Sequence, residues 1–390
     1  MRRFALVSAF ALALFTPVLS AQQPSTDGPY KVLNRARVGG EGGWDYIYAD
    51  VGARRLYIPR GAVRAVPATD TTPERPAVPA RIAVFNLDNL APVGEILTAP
   101  NSNGNGVAVD PRSGHGFSSS RPAITMFDTK SLQLLKSIPL DSGVGPDGIH
   151  FDSFNDRVYV FSHPTKDAMV IDSKDGTALG RIDLGGVPEQ GVADGKGTLY
   201  VVMQDPEGSV TKVDVKTMKA TAHFPFHDKG GSCNGLALDA KNHILFAACG
   251  ASGGLQPAQT GPNGQPLPQR QLPRPMMVIL SADDGHIMTT LPLAGGSDGA
   301  TFNPATMEAF STHGNGTLTV VKENSPTSFE VEENLQTMMG ARTITFDSKT
   351  NHILTMSQER GPAPPPPPGG GRGGFAPAIP GSFTILVIGK

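Results

Sequence analysis

The amino-acid sequence predicts an all-β protein, a seven-bladed β-propeller with four antiparallel strands in each blade. The clearest indication is residues 145–186, whose period-two pattern gives four short apolar strands, GIHFD, RVYVFSH, AMVIDS and LGRIDL, separated by turn residues. The chain repeats this pattern, and its seven first strands end at Asp50, Asp110, Asp152, Asp194, Asp239, Asn303 and Asp347. These ends lie about 42 to 45 residues apart, except at two places near 60, as expected for four-stranded blades with local insertions.

The composition supports the same fold class and excludes one class of function. The 390 residues include 46 Gly and 35 Pro, and only 17% are charged, which is typical of a β protein with many turns. The formal net charge of −2 argues against nucleic-acid binding as the main task. The Asp or Asn that ends each first strand is interpreted as a structural turn residue, because its side chain can accept hydrogen bonds from nearby backbone N–H groups.

The first 21 residues are interpreted as a secretory signal peptide. Arg2 and Arg3 precede an apolar run, and small residues follow before a cleavage point after Ser20 or Ala21. A membrane anchor is the alternative, but the apolar run is shorter than the ~20 residues needed to span a bilayer. We therefore expect residues 22–390 to form one propeller domain, periplasmic or secreted, with no stable membrane insertion after cleavage.

The two ends of the mature chain are expected to close the ring. The segment YKVLNRARVGG resembles the last strand of a blade but precedes every first strand, and SFTILVIGK at residues 382–390 is a third strand with no fourth after it. A propeller must protect its sheet edges. The N-terminal strand is therefore predicted to pair with the C-terminal blade.

Three insertions rich in Pro, Gly or Gln interrupt the repeat, at about residues 61–80, 251–275 and 361–381. Their composition predicts mobile or polyproline-like loops. Each lies between the second and third strand of its blade. This connection opens on the face where the first strands start, and these first strands are the inner strands of the ring. The arginines in or beside them predict a locally basic face, with solubility or attraction of an anionic partner as the two interpretations: Arg60, Arg64, Arg75, Arg270, Arg274, Arg360 and Arg372.

The chain has only two cysteines, Cys233 and Cys249, which flank two strands joined by a turn. Folding this hairpin places them opposite each other, close enough for a disulfide after a modest twist. An oxidising compartment favours that bond. Two free buried thiols, or a metal or redox pair, remain as alternatives.

Polar side chains recur where the inner strands start and where the second strands end, and these are the candidate ligand-binding residues. One interpretation is that they satisfy backbone groups in tight turns. The other is that they form a polar ring around the mouth of the central channel. The candidates are Trp44, Asp45, Asn105, Asp147, Gln190, Gln204, Asn234, Asp298, Arg342 and Gln358.

Two histidines and two arginines at the ends of second strands are the candidate catalytic residues. His163 or His313 could act as a general base, although a lone histidine in a β protein is more often a packed residue. Arg60 or Arg121 could stabilise an oxyanion. No short His/Asp/Glu spacing indicates a metal site, and no nucleotide, haem or zinc-protease motif is present, so no cofactor is expected.

The repeated Asp-Gly, apolar first strand, RVYV-like and VID-like strands and GRIDLGG-like last strand resemble the bacterial YncE/YVTN family of seven-bladed propellers. The match is best over residues 103–248, and the repeat covers nearly all of the mature chain. The resemblance implies export, and many family members lack an assigned catalytic role. Related propellers include lactonases, but no lactonase motif matches this chain residue by residue, so no catalytic residue is carried over.

Two functions follow as hypotheses. The first is a binding module that takes a small anionic molecule or a periplasmic protein on its loop-rich face. The second is a periplasmic hydrolase of the lactonase type that acts at the channel mouth. A His, an Arg and a carboxylate within ~3–4 Å of one another would favour the enzyme, whereas a mouth of amides and backbone would favour binding.

Overall fold

The computed structural model describes residues 28–68, 74–250, 254–255, 265, 271–272, 274–362 and 376–390. The predicted signal peptide, Arg270, Arg372 and parts of the three insertions lie outside these residues. Within the described ranges, no helix combines the length and apolarity required to cross a membrane.

The described chain is built almost entirely from short strands, with one 3-10 turn at His227–Lys229. The strands are β1 (Lys31–Arg37), β2 (Tyr48–Asp50), β3 (Arg55–Arg60), β4 (Arg81–Asn86), β5 (Pro92–Leu97), β6 (Gly106–Asp110), β7 (His115–Ser119), β8 (Ala123–Asp128), β9 (Leu134–Pro139), β10 (Pro146–Asp152), β11 (Arg157–Ser162), β12 (Asp167–Asp172), β13 (Ala178–Asp183), β14 (Pro188–Ala193), β15 (Thr198–Met203), β16 (Ser209–Asp214), β17 (Lys219–Pro225), β18 (Cys233–Asp239), β19 (Ile244–Cys249), β20 (Gly254–Leu255), β21 (Gln271–Leu272), β22 (Met276–Ser281), β23 (Ile287–Pro292), β24 (Ser297–Asn303), β25 (Glu308–His313), β26 (Thr317–Ser325), β27 (Ser328–Gln336), β28 (Ile344–Asp347), β29 (His352–Ser357) and β30 (Thr384–Gly389).

The strands form seven four-stranded antiparallel sheets, which confirms the predicted seven-bladed propeller. Blades 1 to 4 are β2–β5, β6–β9, β10–β13 and β14–β17, and blade 5 is β18, β19, β22 and β23. Blade 6 is β24–β27, and blade 7 has the order β28, β29, β30, β1. In blade 7, β1 pairs with β30 from Lys31 opposite Gly389 to Arg37 opposite Thr384, so the first strand of the described residues is the outer strand of the last blade.

The core lies between neighbouring blades. In β11, five of the six residues RVYVFS are buried, because a second strand is covered by a neighbouring blade on each face of its sheet. The outer strand β13 has the residues ALGRID, of which only Ile182 is buried, because this strand is partly exposed to solvent. The continuous apolar runs in the sequence therefore mark the strands that hold the ring together.

The polar residue that ends each first strand caps the following turn, as the sequence predicts. Its side-chain oxygen accepts a backbone N–H from Ala53, Arg112, Phe154, Lys196, Lys241, Ala305 or Lys349, at 2.7–3.1 Å. These seven side chains therefore stabilise turns, and they lie on the face opposite the one where the first strands start.

The starts of the inner strands share a face with the ends of the second strands, which the register shows directly. Pro146 lies opposite Ser162, and Ser297 opposite His313. The described parts of the insertions leave the same face: Val63 and Val66 bridge to Val78 and Arg75, and β20 pairs with β21. Here this face is called the mouth face.

Candidate functional site

The seven inner strands surround a central channel, and below the mouth face this channel contains a cavity of about 350 Å³. Its wall includes Tyr46, Ile149, His150, Gln190 and Phe346. Burial lowers the pKa of His150 to about 4, so this histidine is neutral at physiological pH. The lumen is therefore a largely uncharged space, and the charged groups gather above it.

One histidine and two carboxylates converge at the mouth. Asp147 lies at the start of β10, His163 follows the end of β11, and Glu189 lies at the start of β14. His163 Nε2 is 2.7 Å from Glu189 Oε2 and 3.2 Å from Asp147 Oδ2. The three side chains offer ligand atoms that all lie within 4.8 Å of one another. We call this group the Asp147–His163–Glu189 cluster.

Glu189 is the best-supported member of the cluster. Only 5% of its side chain is exposed, and Oε1 accepts a hydrogen bond of 2.5 Å from the hydroxyl of Tyr46 in the segment before β2. Gln204, which follows β15, donates to Oε2 at 2.9 Å. Three blades thus fix the position of one carboxylate.

A second network lies beside the cluster and is centred on Arg342. Its Nη1 is 3.0 Å from Asp298 Oδ2, and its Nη2 is 3.6 Å from Asp45 Oδ1. Asn234 donates to Asp298 Oδ1 at 2.9 Å. Blades 5, 6 and 7 and the chain before blade 1 therefore meet here.

The Arg342 network borders a pocket of about 370 Å³ that opens on the mouth face, which we call the mouth pocket. Its lining is polar side chain and glycine backbone: Gln204, Ser232, Asn234, Gly250, Gly296, Ser297, Asp298, Gly314 and Arg342. Gln204 lines the pocket and also bonds Glu189, so the pocket and the cluster are contiguous.

The carboxylates of the mouth raise one another's pKa values. Burial and then the negative charge of Glu189 raise the pKa of Asp147 to about 7. Burial and then Asp147 raise the pKa of Asp45 well above its usual value. The hydrogen bond to Glu189 raises the pKa of His163, and although burial lowers that of Arg342, Asp298 and Asp45 raise it overall. The site is therefore short of positive charge.

The locally basic face that the sequence predicts rests on arginines of the loops, whereas carboxyl groups gather at the centre of the mouth. Four carboxylates, from Asp45, Asp147, Glu189 and Asp298, face one arginine and one histidine at the mouth. Of the loop arginines, Arg60 is buried, Arg270 and Arg372 lie outside the described residues, and the other four are exposed: Arg64, Arg75, Arg274 and Arg360. At the centre of the mouth face carboxyl groups therefore outnumber cationic side chains, and the raised pKa values of Asp45 and Asp147 reduce the negative charge that they carry.

Two of the predicted ligand-binding residues make mainly structural contacts. Gln190 reaches across the channel, where Oε1 accepts the N–H groups of Leu236 and Ala300 at 3.0 and 3.1 Å and Nε2 donates to the Ala300 carbonyl. Asn105 donates to the carbonyl of Pro146. These contacts agree with the turn and backbone interpretation that the sequence left open.

Among the described residues, the other sequence candidates make no hydrogen bond or ion pair with the cluster. Trp44 packs edge-on against Phe383, and Arg60 is 2% exposed and donates to the Gly40 and Gly42 carbonyls. His313 is fully buried, bonds Thr317, and has a pKa that burial lowers to about 3. Arg121 is exposed and Gln358 is half-buried.

Arg60 and His313 therefore have no solvent-exposed surface for a bound molecule. Of the predicted base and oxyanion residues, the structure brings only His163 into the cluster. The arginine beside the mouth pocket is Arg342.

Sequence reasoning missed Glu189 and Tyr46 as members of the site. Register shifts interrupt the inner strands at Pro146/Ile149, Pro188/Gly191, Cys233/Gly235 and Ser297/Gly299. Such irregularities change which side chain points to the channel. The sequence feature that could have identified Glu189 is its position next to Gln190, in the same short polar segment before Gly191.

The predicted cysteine pair is a disulfide in the structure. Cys233 and Cys249 lie opposite each other in β18 and β19, with an S–S distance of 2.07 Å. Both residues are buried, next to Ser232 and Gly250 of the mouth pocket. The bond thus crosslinks one wall of the pocket.

No family model matches this sequence, and no curated protein matches it. Solved structures match by fold. Hydrazine synthase of Kuenenia stuttgartiensis has a TM-score of 0.63 at 12% identity, over 82% of this chain and 94% of that one. The RRP9 WD40 repeats reach 0.64 at 10% identity, over 94% and 99%. The Neurospora crassa Pan2 WD40 domain reaches 0.61 at 12% identity, over 94% and 97%. At these identities the similarity shows the propeller fold alone.

Proposed function

We propose that this protein is an exported, YncE-like propeller that binds a small, hydroxyl-rich molecule, such as a sugar or its lactone, in the mouth pocket. The observation that carries the proposal is the pairing of donors and acceptors around that pocket, where Arg342 and Asn234 both contact the carboxylate of Asp298. The volume of about 370 Å³ lies within the range of small-ligand pockets.

The charge of the mouth selects against an anionic ligand. Arg342 already faces Asp298 and Asp45, so an added carboxylate or phosphate would have to compete with these two side chains for the guanidinium. A hydroxyl group can accept from a guanidinium and donate to a carboxylate at the same time. A neutral polyol or a protonated amino sugar therefore fits the mouth better than an acid.

Glucose, glucosamine, glucono-δ-lactone and gluconate test this proposal as a matched series. We expect the first three to raise the melting temperature and gluconate to leave it unchanged, with about 2.7 kcal/mol of stabilisation at 100 times the dissociation constant. Asp298→Asn should weaken binding, whereas Asp175→Asn, which changes an exposed turn carboxylate on the opposite face, should not. Equal binding of gluconate, or full binding by Asp298→Asn, would contradict the proposal.

A second candidate function is hydrolysis of a lactone at the same mouth. The observation in its favour is that His163 lies 2.7 and 3.2 Å from two carboxylates beside the pocket. Such a group can take a proton from water as the water attacks the lactone carbonyl, after which the ring C–O bond breaks to give a hydroxy acid. A pH-stat assay with glucono-δ-lactone tests this function, and a rate equal to the uncatalysed rate would exclude it for that substrate.

Export rests on residues 1–21, with the disulfide as a supporting feature. A disulfide persists in an oxidising compartment such as the periplasm. Expression of the protein with and without residues 1–21, followed by cell fractionation, tests whether these residues direct its export. Periplasmic protein only from the full chain is expected, and cytoplasmic protein from both would overturn it.

A further inference from the structure

We infer that the Asp147–His163–Glu189 cluster is a binding site for one divalent first-row transition-metal ion. The inference goes beyond the proposed ligand function, since the metal site and the mouth pocket use different principal side chains. It rests on the identity, spacing and support of the three groups.

The ligand types indicate the class of metal. One imidazole nitrogen and two carboxylate oxygens are ligands that Zn²⁺, Mn²⁺ and Fe²⁺ accept. Ca²⁺ and Mg²⁺ prefer sites made entirely of oxygen atoms. A histidine as the central group of the cluster therefore favours a transition metal over the alkaline earths.

The spacing also fits one ion. Metal–ligand bonds of about 2.0–2.2 Å place neighbouring ligand atoms about 3.0 Å apart in octahedral and about 3.4 Å apart in tetrahedral geometry. The observed Nε2–Oε2 and Nε2–Oδ2 distances are 2.7 and 3.2 Å. The ligand oxygens of Glu189 and Asp147 lie within 4.8 Å of each other, so the three atoms are close enough to share one metal after a local adjustment of the side chains.

The surroundings match those of a supported metal site. Tyr46 and Gln204 donate hydrogen bonds to the two oxygens of Glu189. Contacts of this kind orient the ligands of protein metal sites. Both contacts come from outside the cluster, so they would hold Glu189 in place while a metal binds.

One atom in the cluster lacks a partner that its burial would otherwise require. Asp147 Oδ1 is buried and has no hydrogen-bond partner among the described residues. A buried carboxylate oxygen without a partner is costly. A metal that takes Asp147 in a bidentate manner, or a water bound to that metal, would satisfy this oxygen.

Metal analysis of the tag-free mature protein tests the inference without any organic ligand, so it can fail or succeed independently of the proposed function. The protein is stripped with EDTA and dialysed against Zn²⁺ or Mn²⁺. We expect one ion per chain, retained in the presence of excess Ca²⁺. Co²⁺ as a probe should give a visible absorption spectrum that changes when His163 is replaced.

Three variants and one control test whether the metal ion binds at the Asp147–His163–Glu189 cluster. His163→Ala, Asp147→Asn and Glu189→Gln should each lower metal affinity by about 100-fold or more, since even the outer contacts of a metal site are worth 10–100-fold. The control is His243→Ala, which removes an exposed histidine paired at 2.8 Å with Asp283 on the opposite face, and it should bind as the wild type does.

Circular dichroism identifies any variant that fails to fold. In that case the metal affinity of the nearly isosteric Asp147→Asn variant tests whether the ion binds at the cluster. Substoichiometric binding by the wild type, equal binding by the folded variants, or displacement by Ca²⁺ would each overturn the inference.

Discussion

Glu323 is a carboxylate that the fold buries with no ion pair among the described residues. It is 3% exposed in β26, and Asn242 donates to its Oε1 at 2.7 Å, while Oε2 has no partner among the described residues. Asp239, which is 1% exposed, lies against it. Burial, followed by the effects of Asp239, raises the pKa of Glu323 from 4.5 to about 7.

This shift predicts that Glu323 weakens the fold at alkaline pH. The folded state holds the Glu323 proton more tightly than the unfolded state, so stability falls as the pH rises from about 4.5 to 7. Glu323→Gln removes that charge and should raise the unfolding free energy by about 1–2 kcal/mol at pH 8, with no gain below pH 4.5. Urea unfolding at a series of pH values measures the difference.

Glu330→Gln is the matched control for this prediction. Glu330 lies in the paired strand β27, is exposed, and accepts a hydrogen bond from Asn324 at 2.9 Å. Its substitution should change stability by less than about 0.5 kcal/mol at every pH. A gain of the same size in both variants, or none for Glu323→Gln at pH 8, would show that burial of Glu323 is not the cause.

At the scale of the element, the inner strand determines which residues reach the channel. Gln190 at the start of β14 shows what these positions can do for stability, since its amide bonds the backbone of β18 and β24. Its three hydrogen bonds link blades 4, 5 and 6 where the strands approach the axis. Gln190 thus acts as a crosslink between inner strands.

Replacement of Gln190 by leucine should therefore destabilise the protein. Gln190→Leu leaves two N–H groups and one carbonyl without this partner, and we expect a loss of about 2–4 kcal/mol in unfolding free energy. Gln133→Leu, at an exposed turn between β8 and β9, should cost less than about 0.5 kcal/mol. Similar urea midpoints for Gln190→Leu and the wild type would refute the structural role.

The inner strands also show how far the sequence predicts the site. Period-two patterns and glycine positions were sufficient to place Asp147, Asn234, Asp298 and Arg342 at the mouth. They could not separate Glu189 from Gln190, because a register shift between Pro188 and Gly191 changes the side to which neighbouring residues point. Local spacing also gave no sign of the Asp147–His163–Glu189 cluster, whose members come from three strand ends in two blades.

Burial is the second quantity that local pattern does not provide. Arg60 and Arg342 occupy comparable positions on the mouth face in the sequence, yet Arg60 is 2% exposed beneath Trp44 and beside Phe383. His163 and His313 both follow or end a second strand, yet only His163 meets carboxylates. Such differences depend on which blades meet, and therefore on contacts between residues far apart in sequence.

At the scale of the whole molecule, residues near both ends of the described chain contact blade 6, next to blade 7. Glu308 in β25 is fully buried, and it accepts hydrogen bonds from the Tyr30 hydroxyl and from Lys390 Nζ, the latter at 2.7 Å. Tyr30 N donates to Glu333 at 2.9 Å. Both termini of the described chain thus contact blade 6, in addition to the pairing of β1 with β30.

Lys390→Ala tests whether this ionic contact stabilises the closed ring. Burial raises the pKa of Glu308, but hydrogen bonds, first from Lys390, outweigh it and hold that pKa below its usual value. Removal of the lysine leaves a buried carboxylate with less compensation, so we expect a loss of about 1–3 kcal/mol in unfolding free energy. Lys349→Ala, which truncates an exposed lysine in blade 7, should change it by less than about 0.5 kcal/mol.

A double-mutant cycle separates the ion pair from the loss of the lysine stem. In a Glu308→Gln background the carboxylate charge is absent, so Lys390→Ala should cost much less there than in the wild type. The difference between the two costs, measured by urea unfolding, is the coupling between the C-terminal residue and blade 6. Costs that are equal in both backgrounds would mean that strand pairing and apolar packing hold the ring closed without help from this ion pair.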